Sequence, residues 1–506
     1  MEMLGRKTIG SYLKKEDSQS PKGVNTMRNL KIFMIFIIIF ALIGSTSAVE
    51  ARRRSDRTKT TKNVAIIEEV IVPEEVIVPE EVIVPEEVIV PEEVIVPEEV
   101  IVPEVVTVPE EIVVEEVQVI PSVYDVTTLG IANNGTDVTN KLNALPSGNY
   151  YFPKGTYGVN GFDGVSYQGF KPKSNSTYTF ADGAVIKVLT NGYTHYAGIF
   201  IKNTDNLTLI NPTVQGDRQS HDYSKNSTHE WGHGILIAEG NGKITIESPY
   251  VYDVTGDGID LISPGSQVVI NNVRIERARR QGISIESAGS VLINGGTIKD
   301  ISGVSPASGI DIEPYENGQR LDKIVINNIT TQNTRQGLLL ANLHMANNYN
   351  ITINNSTFDG IFVNNIEKTI GGVVNINNPI INGSNMGLVW TNAYANVNMS
   401  NPIFKLTSLK NEGVVEGIFR FYELDRTNGD VIGGFKCTNA QIVNSQSESI
   451  NTRIFNFSNS AKTTVSDISI IVTKSNMTNT IWATTPSTIG TIFLSEPNMT
   501  NVTAKY

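Results

Sequence analysis

The sequence predicts an all-β chain: a single-stranded right-handed parallel β-helix over residues 122–506, preceded by an apolar N-terminal segment and an extended Pro/Glu/Val stalk. Three observations carry the prediction. A glycine followed by alternating aliphatics recurs at intervals close to 24 residues, a second short strand ending in asparagine accompanies each copy, and no helical pattern lies between the copies. Short strands without helices between them must pair with the equivalent strand of the next copy, which makes a solenoid.

Residues 1–48 read as a signal peptide or an N-terminal anchor. Lys31 precedes an unbroken apolar run from Ile32 to Ile43, and Gly44, Ser45, Thr46, Ser47 and Ala48 then offer the small residues that suit signal peptidase. The run is shorter than the roughly 20 apolar residues of a membrane span. Met27, Arg28 and Lys31 make a conventional signal start, so Met27 competes with Met1 as the true start. Arg52, Arg53 and Arg54 oppose translocation and keep membrane anchoring open beside cleaved export. Asn-x-Ser/Thr triplets at Asn175, Asn226, Asn328, Asn350, Asn398 and Asn498 suit a glycosylated extracellular protein.

Residues 49–121 form a basic segment and a stalk. Between Ile67 and Glu116 the unit Glu-Glu-Val-Ile-Val-Pro repeats, with proline at 73, 79, 85, 91, 97, 103 and 109. Proline every sixth residue forbids helix and the paired glutamates repel one another, so the tract extends. At about 3.1 Å per residue it reaches on the order of 150 Å. The net charge of -12 sits mostly in this tract, so the remaining chain is nearer neutral and carries no basic face for nucleic acid. The one cysteine, Cys437, allows no intramolecular disulfide and reads as a buried small hydrophobe.

The repeats begin at Gly198-Ile199-Phe200-Ile201 and continue at Gly234, Gly258, Gly282, Gly309 and Gly337, with weaker copies at Gly360 and Gly387. The asparagine-ended strands include Ile270-Asn271, Ile293-Asn294, Ile326-Asn327, Ile353-Asn354 and Ile376-Asn377. Aligned asparagines hydrogen-bond from turn to turn at a corner, so the asparagine richness is structural. Ala440–Val443 and Ile468–Val472 still read as strands, and the solenoid continues there as scaffold.

Tyr124-Asp125-Val126 with Leu129-Gly130, then Asn134-Gly135-Thr136-Asp137 and Tyr151-Phe152-Pro153-Lys154-Gly155-Thr156-Tyr157, resembles the opening of the pectate lyase superfamily, in which a capping segment precedes the first turn. Ile201 to Val214 and Gly256-Asp257-Gly258-Ile259 resemble that superfamily's early turns. The likeness spans about residues 122 to 345. It implies a pectin-lyase-like β-helix and an encounter with polysaccharide, and it leaves open hydrolysis, elimination, epimerisation or binding alone, because such folds carry all of these.

Counted from each repeat glycine, positions 1 and 3 are apolar and point in, so positions 2 and 4 are expected to face solvent. Position 2 reads Phe200, Leu236, Asp260, Ser284, Asp311 and Leu339; position 4 reads Lys202, Ala238, Ile262, Glu286, Glu313 and Ala341. With turns about 4.8 Å apart, Glu286 and Glu313 become neighbours and Asp260 and Asp311 lie roughly 10 Å apart. Stacked like charges need protons, a cation such as Ca2+, or a bound substrate to compensate them, and nothing else calls for a cofactor. The catalytic candidates are Asp257, Asp260, Asp311, Glu313 and His233; the substrate-binding candidates are Arg279, Arg280, Glu286, Trp231, His229 and Tyr315. An insertion from Asp217 to His233 holds three of the five histidines and is long enough to fold over this face.

Two motifs fit poorly. His229-Glu230-Trp231-Gly232-His233 matches the zinc-protease pattern, but glycines flank the second histidine and a strand starts there, whereas that chemistry needs a helix. Gly232-His233-Gly234 is similar to the G-H-G of polygalacturonases, yet no Asp-Asp precedes it, so that site does not carry over. Nor does the calcium and arginine site of pectate lyases find a clear match. Two classes remain: an enzyme cleaving or modifying a polysaccharide, and a glycan-binding adhesin or surface fibre. Convergence of three or more of the named groups in one cleft favours the first, and a dispersed flat stripe favours the second.

Overall fold

A computed structural model describes residues 122–225, 227–365, 371–383, 387–391, 394–406, 418–422, 431–444, 452–458, 464–475, 480–483 and 502–505. The readings of residues 1–48 and 49–121 as export segment, anchor and stalk fall outside the described residues. Among the described residues, no helix is long and apolar enough to cross a membrane.

The chain starts with a cap. Asp125 accepts from the Thr127 backbone N–H at 2.8 Å and opens the 3-10 turn Val126–Leu129, and a short helix, Thr139–Asn143, buries Leu142 on the first coil. From there every strand pairing between named strands is parallel, each strand meeting the equivalent one a turn later, as in a β-solenoid. The first strand of successive turns is Trp231–Ala238, the start of Ile259–Glu276, the start of Gln281–Lys299, Ser308–Ile312 and Gln336–Ala341. A second strand ends in the asparagines. A third, which the sequence reading did not separate, runs through Thr213–Gln215, Tyr250–Tyr252 and the ends of Ile259–Glu276 and Gln281–Lys299.

The core follows from the period-2 pattern. Ile199, Ile235, Ile259, Ile283, Ile310 and Leu338 stand in register and are fully buried, so each turn places a branched aliphatic on the one below. Each such side chain contributes roughly 1.5–3 kcal/mol of burial. The repeat glycine has a steric cause: a Cβ on Gly258 would stand 2.6 Å from the Gly282 carbonyl oxygen and 2.7 Å from Ile275 Cγ2. At the corner, Asn294 donates to Asn271 at 3.0 Å, Asn327 to Asn294 at 2.9 Å, Asn354 to Asn327 at 2.8 Å and Asn377 to Asn354 at 2.9 Å. This ladder satisfies half-buried amides turn by turn. Val431–Asn444 and Thr464–Ser475 continue the parallel stack, so the strands expected near 440 and 468 are present.

Candidate active site

Two positions per turn build the floor of the site. The residue before the repeat glycine supplies His233, Asp257 and Gln281 on successive turns, and the second residue after it supplies Asp260, Ser284 and Asp311. The second set is the column read from sequence, in register as Leu236, Asp260, Ser284, Asp311 and Leu339. Its expected exposure is not met. Asp260 is 2% exposed and Asp311 and Asp257 are 0% exposed, so the acids lie beneath a cover instead of forming a solvated stripe. Position 4 also departs from the simple count: a register shift after Leu261 pairs Ile262 with Ser287, not Glu286. Glu286 and Glu313 remain partly exposed beside the buried acids.

The groups converge. One ligand atom each from His233, Asp257 and Asp260 lies within 4.8 Å of the others. His233 Nδ1 is 3.6 Å from Asp257 Oδ2 and His233 Nε2 is 3.5 Å from Asp260 Oδ2. Burial, with the Arg280 charge beside it, pushes the His233 pKa down to about 3, so the imidazole is neutral and these contacts are not ion pairs. Burial raises Asp257 to about 6, and Arg280, whose Nη1 donates to Asp257 Oδ2 at 2.9 Å, holds it from going higher. Asp260 is driven well above the usual carboxylate range by burial and by the charges of Glu286 and Asp257. Burial and Asp257 lift Glu286 to about 8. At pH 7 Asp257 is therefore mostly ionised and Glu286 mostly protonated, and of the two adjacent aspartates Asp260, which lacks the Arg280 hydrogen bond, holds its proton more strongly.

A second pair lies one turn on from Ser284. Gln281 Nε2 donates to Asp311 Oδ2, and burial together with Glu313 raises Asp311 well above normal. Glu313, itself raised by burial, accepts from Asn342 Nδ2 at 3.0 Å. Arg280 stays charged although buried, because Asp257, Asp311, Glu230 and Asp260 surround it. Its Nε lies 4.0 Å from Glu230 Oε2.

Aromatic groups rim the floor. Tyr167 belongs to the loop between Asn160 and Phe170; its ring lies 6.3 Å from that of His233 and 5.5 Å from that of Phe200. Burial, then the charges of Asp260, Glu286 and Asp257, keep its phenol protonated. Trp231, 41% exposed, stacks on His195 with ring centroids 4.7 Å apart. Tyr315 is exposed on the other side, its pKa raised to about 12 by burial and by Glu286. Tyr167, His195, Gln281 and Glu230 were not among the site residues chosen from sequence. Tyr167 sits outside the repeat, and no period marks it.

Arg279 and His229 point elsewhere. Arg279 donates to the Thr228 carbonyl at 2.5 Å and stacks over Tyr223 at 4.9 Å, which pins the insertion instead of the acids. His229 is fully buried between His221, 2.8 Å away, and the Lys225 carbonyl, 3.0 Å away, and His221 meets Asp217 at 2.8 Å. Of the three histidines in the insertion, two lock it internally and only His233 enters the site. His233 lies in a strand, Trp231–Ala238, as the discounting of the helical zinc motif requires.

His233, Asp257 and Asp260 are also the residues that would hold a metal, and His233 Nδ1, Asp257 Oδ1 and Asp260 Oδ1 are buried without a partner. They do not fit Ca2+. That ion takes six to eight oxygens, whereas this set presents an imidazole nitrogen, and Arg280 already holds Asp257 Oδ2.

No family model and no curated protein matches the chain. Solved structures do. The A-module of a mannuronan C-5 epimerase from Azotobacter vinelandii matches at 14% identity over 74% of this chain and 100% of its own, with a TM-score of 0.34. A surface adhesin of Streptococcus pneumoniae matches at 14% identity over 74% of this chain and 93% of its own, TM-score 0.38. The family 28 exopolygalacturonase of Yersinia enterocolitica matches at 10% identity over 76% and 79%, TM-score 0.37. The likeness is one of fold.

Proposed function

We propose that this chain is a polysaccharide-active enzyme that hydrolyses a glycosidic bond by general acid–base catalysis, acting at or beyond the cell surface. The observation that carries the reading is the unequal setting of two adjacent carboxyl groups beside neutral His233, all within 4.8 Å: Asp257 accepts from Arg280 Nη1 at 2.9 Å, whereas Asp260 has no such partner and burial drives its pKa well above the usual carboxylate range. Environments that push two carboxyl pKa values apart supply an acid and a base at one pH.

Asp260 gives its proton to the glycosidic oxygen as the bond to the anomeric carbon breaks. Asp257 attacks that carbon, since a separation below about 5.5 Å leaves no room for an intervening water. Water then releases the sugar and returns its proton to Asp260. Glu286, protonated and partly exposed, bonds a sugar hydroxyl at the rim, and Trp231 and Tyr315 offer faces for pyranose rings. The loop carrying Tyr167 is the cover that substrate displaces. Hydrolysis is favoured over elimination or epimerisation of a uronate at this point, because Arg280, the cation beside these acids that could receive a substrate carboxylate, already donates to Asp257 Oδ2 at 2.9 Å. The convergence of these groups supports an enzyme over an adhesin.

The test is a polysaccharide panel scored for new reducing ends and for unsaturated uronates. Reducing ends without unsaturation are expected, falling at least about 100-fold in Asp260→Asn, the scale of losing a general acid. Unsaturated products, or binding with no product, would overturn the reading.

A further inference from the structure

The column that carries Asp260 and Asp311 has a basic end. Phe170 bridges in parallel to Ile199, which places Lys171 beside Phe200, and the column then reads Lys171, Phe200, Leu236, Asp260, Ser284 and Asp311. At about 4.8 Å per turn, Lys171 lies about 14 Å from Asp260 along the solenoid. Here the chain forms a cavity of about 420 Å³ lined by Lys171, Lys173, Lys202, Phe200, Ser174 and Asn203, with Pro172 and Thr204.

Two of its three lysine amines are not spent on carboxylates. Lys202 pairs with Glu239 at 2.7 Å, but among the described residues no carboxylate lies within 4.0 Å of the Lys171 or Lys173 ammonium. Lys171 donates to the amide oxygen of Gln168 at 2.9 Å and stands 5.9 Å over the Phe200 ring. Burial lowers its pKa, and the Asp163 carboxylate, which makes no ion pair with it, offsets that only in part against the like charges of Lys173 and Lys202. A concave site with two ammonium groups outside any ion pair and an aromatic wall suits an anionic group carried on a sugar ring.

We propose that this cavity is an anion subsite of the same cleft, binding a carboxylate, sulfate or phosphate substituent of the polysaccharide a few sugar residues away from the scissile bond. The substrate is then a glycan with spaced anionic groups, not one charged on every residue: lysines receive the charge at one end, and at the other the Arg280 guanidinium is already held by Asp257. This rests on the hydrolase reading for the direction of the cleft and on the cavity alone for the anion.

The test measures binding of the full chain to maltohexaose and to its carboxymethylated and sulfated derivatives. The charged derivatives are expected to bind at least about tenfold more tightly, the scale of one charge-assisted contact. Lys171→Gln/Lys173→Gln should abolish that preference, Lys173→Gln alone should reduce it, and Asp260→Asn should keep it. Whichever derivative binds better names the anion. A wild-type chain without preference, or a preference that survives the double substitution, overturns the subsite. If the polysaccharide panel gives no new reducing ends while the lysine dependence holds, the hydrolase reading falls and the anion subsite stands; if Asp260→Asn keeps full hydrolytic activity, only Asp260's role as the acid falls.

Discussion

Replacing Glu286 by Gln removes a carboxyl that the fold holds protonated far above its ordinary range, and the resulting stability change can be worked through. Burial and the charge of Asp257 raise its pKa from 4.5 to about 8. A folded state with the higher pKa binds the proton more tightly than the unfolded chain, so its stability is fully present below about pH 4.5 and is lost as pH rises through about 8. At pH 7 the loss spans about two and a half pH units at about 1.4 kcal/mol each, or about 3 kcal/mol, and it reaches about 5 kcal/mol above pH 8. Glu286→Gln keeps the shape and a hydrogen-bond donor without this cost. The variant should melt with the wild type at pH 4, several degrees above it at pH 7, and further above it at pH 9. Thermal melts followed by circular dichroism at half-unit steps from pH 4 to 9 read the effect. Parallel curves for the two proteins, or a variant that is less stable at pH 9, would refute the assignment of Glu286 as an acid that the fold holds protonated.

Asp311→Asn keeps an amide oxygen to accept from Gln281 Nε2 but removes a crowded carboxyl; melting should hold or rise and turnover should change less than about tenfold, because Asp257 and Asp260 carry the chemistry, whereas a loss of about 100-fold would move the acid–base pair to Asp311 and Glu313. Asn327→Ala breaks two rungs of the corner ladder at once, the bonds to Asn294 and from Asn354. It should cost about 2–3 kcal/mol in denaturant unfolding, whereas a loss under about 0.5 kcal/mol would mean the ladder is solvated decoration. Ile283→Ala, in the middle of the fully buried column, should cost about 2–5 kcal/mol without moving the site residues on the other side of the strand. A neutral result there means the turn collapses around the cavity.

The repeat itself was open to reading from sequence because its physics is local and periodic. Glycine where the next turn's carbonyl leaves no room for a Cβ, Ile or Leu at the inward positions, and asparagine at a shared corner recur at a spacing set by one turn, so each copy announces the next. The same periodicity brought Asp260, Ser284 and Asp311 into one column before any coordinates, and the register is as counted. Tertiary structure decided what the period does not encode. The third strand of each turn is only a few residues long and leaves too short a pattern to separate from the corner. The register shift after Leu261 depends on how one strand bends over its neighbour. Above all, burial of the acids was out of reach: alternation says which side chains leave the barrel, not whether a distant loop lies over them. Tyr167 arrives from a non-repeating segment, and with it the low-dielectric cover that turns a row of carboxylates into protonated and ionised partners. Likewise His221, His229 and His233 are alike in sequence, and only the folding of the insertion sends two into a structural lock and one against Asp257 and Asp260.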